Sequence, residues 1–349
     1  MGKSVHQYIG QGSPDTILEM ILEYDESSCS NSFIHNVILD GGEYIYMENL
    51  QEREINHENF EEINNKLVRY NLTLIFALSF YKKQSSWYNR KELSNIKFFD
   101  SPLYFLNFLV YKHYENKNYN IDNVSKNISN NSKSSLFINL NNKPHDFRCE
   151  MMDTLSKYDL LSYGNYSWLM DGDVYDYEFK YFDNKYKKLT IDSKQEGWSW
   201  YWHDITYGNP LINLVTESDD EIIGISEKTC KPLLVGQPFI TYSYKGFHKT
   251  LEEFGFELYD EIFDYSFDSK ETRTERIIGI CENLDRLKDK DYNKLYDLIS
   301  NKLERNRQTA LNIAKTNKFT NPEYLEFLNN NSHDLELDKT GHAFFNLYN

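Results

Sequence analysis

Apolar positions fall along the chain in short blocks separated by polar stretches of helical period. Phe33-Ile34-His35-Asn36-Val37-Ile38-Leu39-Asp40 runs into Asp40-Gly41-Gly42-Glu43, and it predicts a buried parallel strand ending in a glycine turn. Residues 58–68 follow with Phe60, Ile63 and Leu67 at helical spacing, then a second apolar strand over 72–78 and a third around Ile96-Lys97-Phe98-Phe99. Further on, the pattern predicts strands at 135–141, 212–217 and 238–242, and a helix over 147–155. The stretch 271–315 reads as helical, with Ile277, Ile278, Cys281, Leu284 and Leu287 on its apolar face. Strands alternating with helices argue for an α/β layered fold. Residues 115–135 are almost bare of large apolar groups and read as a linker or long loop.

At 349 residues the chain is long for one core and comfortable for two domains. The linker places the divisions at 1–115, 116–134, 135–290 and a helical 291–349. With 38 Lys and Arg against 54 Asp and Glu, the formal charge is −16, which repels polyphosphate backbones and makes general nucleic-acid binding a poor reading. A local basic pocket for one diphosphate is compatible with that charge. The N-terminal residues lack the apolar stretch of a signal peptide, and the longest apolar run, 72–81, is far shorter than the ~20 residues of a membrane span. The cysteines Cys29, Cys149, Cys230 and Cys281 show no metal or redox spacing and read as reduced thiols, so the expected compartment is cytoplasmic.

The densest chemistry lies in Leu211-Ile212-Asn213-Leu214-Val215-Thr216-Glu217, an acidic loop, and Ser226-Glu227-Lys228-Thr229-Cys230-Lys231-Pro232. A strand ends in an acid, and Ser226 then stands as an N-cap before Glu227 and Lys228 in a first helical turn. Free N–H groups and a lysine at a helix start suit a phosphate, and a carboxylate there can accept both hydroxyls of a ribose. The plainer reading of the same dipeptide is a capping acid beside a solvated lysine.

Thr216-Glu217-Ser218, Ser226-Glu227-Lys228, the segment from Cys230 to Val235 and Gly236-Gln237-Pro238-Phe239-Ile240 together resemble the C-terminal motif of the α1,3-fucosyltransferase family, over about residues 135–290. Two departures stand out: Ser226 replaces a threonine, and Pro232 interrupts the helix or starts its regular part. The resemblance implies a GT-B-like fold, two Rossmann-like domains facing across a cleft, with the acceptor on residues 1–115 and the nucleotide-sugar on 135–290. It implies an inverting glycosyltransferase that needs no metal, with a GDP-sugar such as GDP-fucose as the first donor. Glu227 would then hold ribose, Lys228 and Arg148 would neutralise the leaving diphosphate, and Glu217 would orient the sugar or its loop. Arg148 follows Leu140-Asn141-Asn142-Lys143-Pro144-His145 as the family's diphosphate-facing arginine does; Asn141 would be a further donor contact, and His145 would either donate to the phosphate or simply lie in the turn. Tyr166 or Trp168 would stack on the base or pack in the core. The catalytic base is placed at Glu43, with Asp40 as the alternative, because both sit in the glycine turn expected to end the first strand.

Asp171-Gly172-Asp173 resembles a metal-binding triplet, but such triplets are common in an acidic chain, and no cofactor or metal is expected. The aromatic group Trp198, Trp200, Tyr201 and Trp202 is either a sugar platform or packing. The rival to catalysis is a carbohydrate- or protein-binding module on a degenerate transferase fold.

Overall fold

Parallel pairing organises both halves of the chain in the computed structural model, which describes residues 5–8, 14–25, 33–49, 59–78, 93–115, 121–141, 144–168, 177–183, 208–217, 223–331 and 333. The fold is α/β. Contacts divide the chain into two units, residues 1–108 with 317–349, and residues 109–316. Each described sheet is four-stranded and wholly parallel, and eleven α-helices are present among the described residues.

In the first unit β1 (Val5–Gln7), β2 (Tyr44–Asn49), β3 (Thr73–Leu78) and β4 (Ile96–Asp100) lie side by side in chain order. Helices α1 (Pro14–Glu23), α2 (Phe33–Leu39) and α3 (Phe60–Arg69) connect them. Helix α3 buries Phe60, Ile63 and Leu67, as their spacing predicts. The segment expected as the first strand is instead helix α2. Its buried residues are Ile34 and Val37, three apart, and His35 and Asn36 fill the turn between them, a pattern that suits a helix as well as a strand. Gly41 ends that segment at φ +70°, and the strand starts only at Tyr44.

The last helix, α11 (Pro322–Asn330), belongs to this first unit although it is the last described element of the chain. Asn321 caps it, accepting a hydrogen bond from the Glu323 N–H, and Pro322 fits its first turn. Tyr324 and Leu328 then bury against Val5, Tyr46, Ile75, Ala77 and Phe99 of the sheet. The Tyr324 ring stacks 5.3 Å from Phe99, and its hydroxyl lies 2.6 Å from that of Tyr46.

The second unit contains α4 (Tyr104–Glu115) from residue 109 onward, α5 (Ile121–Asn130), β5 (Ser135–Asn141), α6 (Asp146–Lys157), β6 (Gly164–Trp168) and β7 (Pro210–Thr216). It continues through α7 (Glu227–Val235), β8 (Phe239–Tyr242), α8 (Phe247–Glu253), α9 (Arg273–Leu287) and α10 (Tyr292–Thr316). The expected linker therefore contains a packed helix. Ile121, Val124 and Ile128 form a narrow buried stripe on α5, and Asn, Ser and Lys occupy its polar face, so a poor apolar content sufficed. The long helical stretch after 271 is two helices, and α10 and α11 fall in different units.

The sheet order here is β6-β5-β7-β8, so the chain winds outward in one direction from β5 to β6 and in the other from β5 to β7. Such a reversal opens a crevice at the carboxyl ends of the two central strands, β5 and β7. The first unit's sheet, in simple chain order, has no reversal among its described strands. Gly164 lets β6 lie against β5, because a Cβ there would meet the Phe137 ring at 2.4 Å. Among the described residues no helix is long and apolar enough to cross a membrane.

The docking of α11 sets a stability prediction. Tyr324→Phe should cost about 1 kcal/mol for the hydroxyl pair, and Tyr324→Ala about 3–5 kcal/mol for the emptied aromatic site. Urea unfolding of both variants would show it, and equal loss in the two would contradict this packing.

Candidate functional site

Glu217 is the residue around which the carboxyl edge of the second unit is arranged. It directly follows β7, is 2% exposed, and its N–H donates to Tyr242 O on the neighbouring strand at 3.0 Å. Its carboxylate accepts from Thr229 Oγ1 at 2.5 Å, from the Ser226 N–H at 3.2 Å and from the Ser226 hydroxyl in a short bond. Ser226 in turn caps α7, its Oγ accepting from the Lys228 N–H at 3.2 Å. One carboxylate thus fixes where the returning chain enters α7, and so where Glu227 and Lys228 stand. Helix α7 runs without interruption from Glu227, with Pro232 inside it, and Gly236 closes it at φ +69°.

Lys228 Nζ lies 3.3 Å from Glu227 Oε1 and 3.5 Å from Ser226 Oγ. From the facing segment, Arg148 in the first turn of α6 is 4% exposed, and its guanidinium reaches the carbonyls of Glu217 at 3.3 Å and Thr216 at 3.5 Å. Arg148, Glu217, Glu227 and Lys228, drawn from separate segments of the sequence, are therefore gathered at the reversal between β5 and β7. The central strands are polar at this end. Asn141 Oδ1 accepts from Thr216 Oγ1 at 2.6 Å, Asn141 Nδ2 donates to Asn139 Oδ1, and Asn139 Nδ2 donates to Leu214 O at 2.7 Å. Buried parallel strands normally read as apolar runs, so this side-chain chain departs from what packing alone requires.

Burial raises Glu217 above the usual carboxylate range, against the pull of Lys228, Ser226 and Thr229. Glu227 is subject to the same burial, but Lys228 and Lys231 outweigh it and hold its carboxyl below the ordinary value. Lys231, buried on the same helix, is drawn down to about 8 by desolvation, with Glu227 opposing. The site thus pairs one carboxyl pushed toward its neutral form with one kept ionised by cations.

The remaining expected residues separate clearly. His145 precedes α6 and is half-buried, its ring stacked 5.5 Å from Phe147. Tyr166 and Trp168 are core residues, 2% and 1% exposed, packed edge-on against Phe182, which leaves neither a face for a base. Glu43 and Asp40 do not sit where the catalytic base was expected. They follow a helix and precede β2, so they lie at the amino end of a parallel strand, opposite the edge where such sheets carry chemistry. Residues 171–173, 198–204 and 218–222 lie outside the described residues. Among those described, no group of three or more His, Cys, Asp or Glu gathers for a metal.

Two positions at this edge went unnoticed in the sequence. Lys231 lies one turn beyond Glu227, and the signal was a charged residue set between Cys230 and Pro232-Leu233-Leu234 on an otherwise buried helix. Arg276, in the first turn of α9, holds its guanidinium 5.7 Å over the Tyr242 ring, which itself stacks 5.6 Å from Phe147. Nothing local in the sequence marks that approach.

The outer strand β8 is held by a buried pair. His248 Nδ1 lies 2.9 Å from Asp268 Oδ1, and His248 Nε2 accepts the Thr241 N–H at 3.3 Å, which fixes the imidazole proton on Nδ1. Asp268 also accepts the His248 and Lys249 N–H groups that begin α8. Burial would raise Asp268, but the hydrogen bonds it accepts from the His248 side chain and from the His248 and Lys249 N–H groups overcome it and hold the carboxyl below its ordinary value.

Comparison of the chain with family models, with curated proteins and with solved structures returns no match.

A depressed carboxyl stabilises the fold above its unfolded value and loses that contribution as pH falls through the folded one. Asp268→Asn should therefore cost about 2–3 kcal/mol near neutrality. The gap from the native protein should stay constant above about pH 5 and narrow below about pH 4. Denaturant unfolding across that range measures it, and a gap that widens on acidification would contradict the assignment.

Proposed function

We propose that the chain is a glycosyltransferase that moves a sugar from a nucleotide-sugar donor to a hydroxyl acceptor with inversion, and that the donor lies at the carboxyl edge of the 109–316 unit. The observation that carries this reading is the convergence of Arg148, Glu217, Glu227 and Lys228 at the reversal between β5 and β7. A crevice in that position is where open parallel sheets bind nucleotides.

The roles follow from the surroundings of each group. Glu227, held ionised by Lys228 and Lys231, is suited to accept both ribose hydroxyls. Lys228, partly exposed beside it, supplies a mobile point charge for the diphosphate. Arg148 adds a fixed cation at the end of β7. Glu217 is fully engaged by Ser226 and Thr229, so its part is to set the loop and the start of α7 rather than to touch the sugar. In the transfer, the acceptor oxygen bonds to the anomeric carbon as that carbon's bond to the β-phosphate oxygen breaks. The electron pair leaves with the nucleoside diphosphate, where fixed cations stabilise it, and the acceptor's proton passes to a base. The fucosyltransferase resemblance makes GDP-sugars the first donors to try.

A thermal-shift panel of GDP-, UDP-, CMP- and dTDP-linked sugars without metal tests the proposal. A ligand held only by the native state at ~100 times its dissociation constant adds about 2.7 kcal/mol. One nucleotide class should stabilise the protein, and Lys228→Ala should remove that shift while leaving the unliganded melting point within about 2 °C. Stabilisation by none of the panel, together with binding of free glycans, would replace this reading with a glycan-binding module.

A further inference from the structure

Helices α5 and α10 each pack on α7, and a trough of about 380 Å³ lies between them in the second unit. That volume is within the range of ~300–1,000 Å³ over which pockets hold small molecules. One wall is a single face of α5, where Asp122, Ser125, Lys126 and Ser129 recur at helical spacing. The facing wall is a single face of α10, formed by Ser300, Glu304 and Arg307 with Tyr296 one turn earlier. At its base is Gly236, the left-handed residue that ends α7, and a Cβ there would come 3.8 Å from Ser125 Oγ. Where helices meet only to pack, large apolar side chains fill the space between them. Helix α5 instead buries Ile121, Val124 and Ile128 and leaves its serines at the trough. The trough is also remote from the donor crevice, ~13 Å along α7 from Glu227.

The chemistry of the walls narrows the ligand. Arg307 is already engaged: its Nε donates to Leu234 O at 3.1 Å, its Nη2 pairs with Asp122, and its Nη1 lies 3.7 Å from Glu304. Ser129 and Ser300 donate to Lys126 O and Asp297 O of their own helices, each at 2.9 Å, so both meet a ligand as acceptors. Asp122 and Glu304 are exposed and keep carboxylate oxygens for further donors. These two carboxylates balance Arg307 and Lys126, so the trough carries no net charge to draw in an ion of either sign. A complementary ligand brings several hydroxyl donors, no net charge, and a C–H face for Leu303 and Tyr296, which supply the apolar part of the lining. Sugar rings combine these properties. We propose that the trough between α5 and α10 is a binding site for a neutral saccharide, separate from the donor crevice and independent of the nucleotide-sugar reading.

Saturation-transfer NMR of the full chain with lactose, maltose, cellobiose and chitobiose tests this. At least one disaccharide should bind the native protein. Ser125→Trp and Ser300→Trp, which fill the trough from opposite walls, should each weaken that binding at least about tenfold. Both positions are half-buried, so the melting point should stay within about 2 °C of native; should one tryptophan upset the fold, the other carries the test. Excess GDP should leave the disaccharide bound. Binding of no disaccharide, native-like affinity in a folded tryptophan variant, or displacement by GDP would overturn the inference. Spermidine binding that is lost in the same variants, with no saccharide bound, would assign the trough to a cation instead. A protein that binds a disaccharide here but no nucleotide would refute the donor reading and leave this site standing.

Discussion

The buried carboxylate of Glu217 is the constraint on which the candidate site depends. It is placed by β7, tied through its N–H to β8, and satisfied by the Ser226 N–H, the Ser226 hydroxyl and Thr229. Leaving any of those donors unpaired in the interior would cost about 1–3 kcal/mol. The carboxylate therefore determines where α7 begins, and the positions of Glu227, Lys228 and Lys231 follow from helix geometry. Arg148 closes the arrangement from the other side by binding the carbonyls on which Glu217 sits.

The same end of the sheet shows how polar groups are kept inside a parallel fold. Asn139, Asn141 and Thr216 satisfy one another and the Leu214 carbonyl, so the central strands carry side-chain dipoles without orphaned groups among them. On the outer strand, His248 and Asp268 accept backbone N–H groups at Thr241 and at the start of α8. These bonds make the carboxyl edge rigid around charged groups that would otherwise be expensive to bury. The cysteines nearby take no part in such chemistry. Burial pushes Cys149 to about 12 and raises Cys230 well above the ordinary thiol value, which leaves both as packing residues.

The two sheets differ in winding, and that difference concerns where ligands can be held. The chain-order sheet of the first unit and the reversed sheet of the second are built from the same parallel pairing. Only the second, among the described strands, separates its central crossovers to opposite directions. Asn139, Asn141, Thr216 and Glu217 are buried at that reversal, and α11 serves the first unit by filling its sheet face with Tyr324 and Leu328.

The sequence by itself determined the α/β class, the strands at β3, β4, β5, β7 and β8 to within two residues, and the helix start at Ser226 and Glu227. Those elements carry long apolar runs or a capping residue, which are local signals. It did not determine that residues 33–39 form a helix, because a four-position apolar pattern with His35 and Asn36 between suits either period. Nor did it reveal the packed stripe of α5, or the return of the chain's last described helix to the first unit. Tertiary structure alone decided that Glu43 and Asp40 lie at the wrong end of their strand, that Tyr166 belongs to the core, and that Lys231 is buried beside Glu227. Each of these depends on which edge of a sheet a residue reaches and what packs over it, and that is set by strand order and burial between segments distant in sequence.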